Sequence, residues 1–70
     1  MNAKLISNDT LNKHCFQVTV DNVTYNVLIY TNEKGKFVDE EVVLNGEEVE
    51  DNELVDSILD YIDTNWDKLV

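Results

Sequence analysis

The stretch HCFQVTV-DN-VTYNVLIY, residues 14–30, constrains the fold of this chain more than any other segment. Alternation places His14, Phe16, Val18 and Val20 on one side of a strand and Cys15, Gln17 and Thr19 on the other, the period of two expected of a half-buried strand. Val23, Tyr25, Val27 and Ile29 repeat the pattern after Asp21 and Asn22. Aspartate and asparagine both tolerate the positive φ that a two-residue hairpin turn demands. A tight turn sets Val20 against Val23, Val18 against Tyr25 and Phe16 against Val27, so every facing pair falls on the apolar side. A slip of one residue would turn all of these side chains to water. Turn chemistry and hydrophobic pattern therefore predict the same hairpin.

The segments that follow extend the sheet. Asn32-Glu33-Lys34-Gly35 is a second turn signal and leads into KFVDEEVVL, with glycine available for a left-handed position. A four-residue loop predicts Val38 opposite Ile29, Val42 opposite Tyr25 and Leu44 opposite Val23. That register aims Glu40 at the core beside Val27, which is costly unless a bulge or a sheet edge frees the carboxylate. Asn45-Gly46 is a third turn, after which Glu47 to Val49 reads as a short further strand. Residues 1–12 read as an edge strand around Lys4 to Ser7 or as a loosely held arm.

From Asp51 onward the period changes to that of a helix. Val55, Ile58, Leu59, Ile62, Trp66 and Leu69 form one apolar stripe at ~100° per residue. Asp51 or Asn52 can cap the start, and Glu50, Asp51 and Glu53 lie near its positive end. The predicted architecture is an α+β fold in one small domain, residues 1–70. An antiparallel three- to four-stranded meander over 13–49 is followed by one C-terminal helix over 51–69, packed on one sheet face. Burying one apolar sheet face under one apolar helix stripe is the simplest two-layer solution for a chain of this length.

Charge is the second strong constraint. Fifteen acids against five lysines give a net charge of −10, and the excess is not spread evenly. Asp9 and Asp21 balance Lys4 and Lys13 in residues 1–31, whereas residues 37–67 hold twelve acids and no basic residue. Such a surface repels phosphate, which argues against direct binding of DNA or RNA. The high apolar content, 43%, in clear periodic patterns argues against disorder. The single Cys15 excludes an internal disulfide, and no segment has the composition of a signal peptide or a membrane span. The expected setting is cytoplasmic, away from membranes.

Chemistry-bearing constellations are sparse. His14 and Cys15 are neighbours on a strand and point to opposite faces, so they cannot share the hydrogen bond of a nucleophile–base pair. One histidine and one cysteine do not make a typical zinc site. The acid-rich 39–51 segment lacks the alternating ligands and glycine of a calcium loop. The expectation is a protein that is not an enzyme and holds neither metal nor cofactor.

What remains is the acid pattern itself. Asp56, Asp60, Asp63 and Asp67 fall within about 60° of one another on a helical wheel, at ~100° per residue, beside the apolar stripe rather than opposite it. Like charges at these spacings repel, and solubility alone does not require a row. A solvated face and a docking face for a basic partner both fit the pattern. The docking reading includes Asp39, Glu40, Glu41, Glu47, Glu48 and Glu53 with the four helical aspartates. In size, acidity and layout the chain resembles small phage-encoded inhibitors of nucleases and other DNA-handling proteins, DNA mimics among them, a resemblance of composition rather than of motif. It implies a basic, nucleic-acid-binding protein as partner, with carboxylates standing in for phosphates. The alternative is a small assembly domain, a homodimer among the forms it could take, that uses a sheet-face patch around Leu28, Tyr30 and Phe37.

Overall fold

The computed structural model describes residues 1–9 and 12–70, without the side chains of Asn8 and Asp9. Five strands, β1 (Asn2–Asp9), β2 (Lys13–Val20), β3 (Val23–Thr31), β4 (Phe37–Leu44) and β5 (Glu47–Glu48), are followed by helices α1 (Asn52–Thr64) and α2 (Trp66–Leu69). The strands form one antiparallel sheet in the order β1-β2-β3-β4-β5. The fold is α+β, as the periodicity indicates, with five strands rather than three or four. The first segment supplies the additional edge strand, and Glu47–Glu48 the short last one.

The β2–β3 hairpin has the predicted register, with Val20 paired to Val23, Val18 to Tyr25 and Phe16 to Val27. Its turn residues Asp21 and Asn22 have φ of 50° and 67°, the double left-handed geometry that matches the twist of the flanking strands. Asn45 and Gly46 repeat it at 53° and 83° between β4 and β5. In the longer β3–β4 loop the Asn32 side chain accepts hydrogen bonds from the backbone N–H groups of Lys34 and Lys36, at 2.9 and 3.0 Å.

The β3–β4 register differs from the sequence expectation by two residues. Val42 pairs with Val27 and Glu40 with Ile29. The shift preserves which side chains face the helix, because the side-chain period is two. A bulge then changes the face at the start of β4: Tyr30 pairs with Asp39 but Thr31 with Phe37, leaving Val38 as the extra residue. Val38 is exposed and Phe37 turns under the helix, the reverse of the expected arrangement.

Phe16, Val18, Tyr25, Val27, Ile29, Val42, Ile58 and Ile62 are the buried core, between one sheet face and α1. Val55, Leu59, Trp66 and Leu69 of the predicted stripe pack against it, as do Ala3 and Leu5 of β1. The helix is not continuous to residue 69. Asn65 interrupts it, donating from its side-chain amide to the Tyr61 carbonyl at 2.8 Å, and its own carbonyl starts α2 by accepting from Lys68 and Leu69. Trp66 closes that end of the core against three rings, with centroid distances of 5.0 Å to His14, 5.6 Å to Phe16 and 5.1 Å to Phe37. Among the described residues no helix is long and apolar enough to cross a membrane.

Candidate functional site: an acidic groove beside the helix

Helix α1 is set by its cap and its stripe. Asp51 has an extended backbone and accepts from the Leu54 N–H at 3.3 Å, which satisfies one of the free donors of the first turn. Glu53 lies in that turn, where the helix dipole favours a carboxylate. With Ile58 and Ile62 fully buried, the wheel leaves Asp56, Asp60 and Asp63 on a flank that meets water, and all three are exposed. Asp67 is exposed as well but belongs to α2, beyond the interruption at Asn65. The predicted row is therefore three aspartates on one unbroken helix and a fourth on the next turn of chain.

The sheet contributes the opposite wall. Strand β5 pairs only with Val43 and Leu44, so the first half of β4 is an open sheet edge. Glu40 pairs with Ile29 on the helix side yet remains exposed, because this edge lets its carboxylate reach water. Here an open groove of about 640 Å³ is lined by Lys36, Phe37, Glu40, Leu59, Asp60 and Asp63 together with Gly35. Phe37 and Leu59, both half-buried, provide an apolar floor, and three carboxylates and one lysine surround it. A floor of this kind beside converging carboxylates suits a long cationic side chain, whose methylenes cover apolar surface while its head meets the acids.

The remaining predicted acids do not share this surface. Glu47 lines a second hollow of about 380 Å³ with Glu50 and Asp51 near the start of α1, and Glu48, which borders it, pairs with Val43 in the ladder row that faces away from the helix. Asp39 and Glu41 pair with Tyr30 and Leu28, which puts them on the sheet face away from the helix. The acids of residues 39–53 thus divide between two sides of the molecule. Of the predicted acids, Glu40, Asp60 and Asp63 share the groove, which Glu53, Asp56 and Asp67 do not line, a convergence hidden from the sequence because the β4 register decides it.

The second predicted patch needs correction at one position. Leu28 and Tyr30 lie on the uncovered sheet face, half-buried by their neighbours. Phe37 does not join them: the Val38 bulge rotates it under Trp66 on the other face.

His14 and Cys15 lie on opposite faces of β2. His14 is buried, with Nε2 3.3 Å from Thr31 Oγ1 and its ring edge-on to Trp66. Its Nδ1 has no partner among the described residues. Among those residues no group of three His, Cys, Asp or Glu side chains is arranged to hold a metal ion. No known family model, curated protein or solved structure matches the chain.

Proposed function

We propose that the protein is a non-enzymatic binding protein whose acidic helix flank docks on a basic protein surface, with a nucleic-acid-handling protein as partner. The observation that carries this reading is the meeting of Asp60 and Asp63 with Glu40 over the Phe37–Leu59 floor. A merely solvated face requires neither convergence nor an apolar base.

The spacing bears on how phosphate-like the row is. Consecutive carboxylates on the helix are ~4.5–6 Å apart along the axis, against ~3.4 Å of axis per phosphate in one DNA strand. The aspartates alone form a sparser line of charge than DNA, and Glu40 and Glu53 thicken it at two points. A basic groove that normally receives a phosphate backbone would meet here a fixed set of acceptors. Long-range attraction would steer the encounter, and local fit would hold the complex.

The test compares two neutralised variants of equal charge. One carries Asp56→Asn, Asp60→Asn and Asp63→Asn; the other carries Asp21→Asn, Glu33→Gln and Glu50→Gln, all at exposed positions. Immobilised wild type should capture a basic nucleic-acid-binding protein from lysate at low salt and release it at high salt. The helix variant should lose the capture and the control variant retain it. Equal losses would show that only net charge matters and would remove the groove from the reading.

A further inference from the structure

We infer that the uncovered sheet face is a self-association surface, on which a second copy packs face to face about a two-fold axis parallel to β3. This proposal is independent of the acidic groove, which lies on the other side of the sheet.

Three ladder rows define the face. Lys13, Tyr30 and Asp39 stand level across β2, β3 and β4. The next row is Ser7, Cys15, Leu28 and Glu41, and the one beyond it is Lys4, Gln17, Asn26, Val43 and Glu48. The lysines lie on the β1–β2 side, where Asp9 stands level with Lys13 at the β1 edge, and the other acids of these rows lie on the β4–β5 side. In these rows Lys4 and Lys13 stand against Asp9, Asp39, Glu41 and Glu48, a balance of −2, whereas the whole chain carries −10. Self-repulsion on this face is therefore well below what the net charge of the chain implies.

The order of the charges selects one symmetry. Rotation about an axis along the central strand exchanges β1 with β5 and β2 with β4 while keeping each row at its level. Lys13 then meets Asp39 of the second copy, Lys4 meets Glu48 of the second copy, and symmetry makes each pair twice. A two-fold axis across the strands at the level of Leu28 would stack β2 on β2 and β4 on β4 with the rows reversed, setting Lys13 against Gln17, Asp39 against Val43 and Glu41 against its own counterpart, so the Lys13–Asp39 pair is lost. The favoured axis also sets Leu28 and Tyr30 against their own counterparts at the centre. Cys15 and Val43 flank them, and all four are half-buried in the single chain. A hollow of about 300 Å³ beside Lys4, lined also by Gln17, Thr19 and Thr24, leaves room for the incoming Glu48.

Size sets the expected strength. Five strands ~4.8 Å apart and about eight residues long at ~3.4 Å each present roughly 500 Å² per copy once short β5 is discounted. The total of roughly 1,000 Å² is at the lower limit for a specific interface. The dimer should accordingly be weak, concentration-dependent and sensitive to salt.

Sedimentation equilibrium from micromolar to millimolar protein at low salt provides the test. Wild type should dimerise, and Lys13→Glu and Asp39→Lys should each weaken the dimer about tenfold or more. The double variant Lys13→Glu/Asp39→Lys should regain it, because each reversed charge again meets its opposite on the second copy. Within one chain the two positions are separated by β3, so rescue reads the contact between copies. Urea unfolding of each variant establishes that the monomer is folded. Independently, Leu28→Cys in a Cys15→Ser background should form a disulfide-linked dimer on mild oxidation, and Ile6→Cys on the outer strand should not. A monomeric wild type throughout the range, or reversals that leave the dimer intact, would overturn the proposal, as would failure of the folded double variant to recover.

Discussion

Converting Asp56, Asp60 and Asp63 together to asparagine should make the protein more stable. The three are exposed on one unbroken helix, four and three residues apart. Each like-charge neighbour contact at such spacing costs ~0.2–0.5 kcal/mol. Two contacts among the aspartates, 56 with 60 and 60 with 63, give about 0.4–1 kcal/mol, and relief of Glu53 against Asp56, three residues apart on the same helix, acts in the same direction. A third, between Asp63 and Asp67, would count in a continuous helix but is left out because Asn65 breaks it. Aspartate and asparagine have similar helix propensities, so the exchange is otherwise nearly neutral. Lys36 shares the groove with Asp60 and Asp63, and losing that attraction moves the gain toward the lower end of the range. For a domain of this size the increase corresponds to roughly 2–8 °C in Tm. Urea unfolding at low salt should show a higher midpoint with an unchanged slope. At about 1 M salt, where the screening length is ~3 Å, the advantage should shrink. A midpoint that falls at low salt, or a gain that salt does not reduce, would refute the reasoning. A row that lowers stability is consistent with selection for something other than folding.

Other substitutions test the frame that holds the row. Asp51→Ala removes the acceptor for the Leu54 N–H and should cost about 1 kcal/mol, read as a lower urea midpoint, with Asp51→Asn largely sparing it. Ile58→Ala opens a cavity between fully buried neighbours and should cost ~2–5 kcal/mol, enough to leave a measurable unfolded fraction by circular dichroism. Gly46→Ala meets no atom within 4 Å, yet φ is +83°, so the loss of ~1–2 kcal/mol would come from the backbone alone. The same turn should accept Asn45→Gly with little change in the urea midpoint.

The central hairpin was legible because two independent signals, a two-residue turn and strict alternation, demand one register. Strand β4 gave no such agreement. In FVDEEVVL, Phe37 and Val38 are both apolar and adjacent, so alternation alone cannot choose which turns inward. Contact between Phe37 and Trp66 favours the aromatic, and the bulge at Val38 is how the chain accommodates it. This one displaced residue removed Phe37 from the sheet-face patch and placed it in the floor of the acidic groove. Asn65 was masked for a different reason: Trp66 and Leu69 continue the apolar stripe across it, and periodicity does not register a broken hydrogen-bond ladder. The helical aspartates were readable from spacing alone. Their convergence with Glu40 was not, since it depends on where β5 stops and the sheet edge opens.

Docking through the helix flank is tested most directly by backbone amide shifts in the ¹H–¹⁵N spectrum as a captured basic partner is titrated in. The largest changes should fall on Leu59, Asp60, Asp63 and Glu40, and should diminish as salt is raised. Changes concentrated on Asp39, Glu41 and Glu48, or spread evenly over every acid, would contradict it.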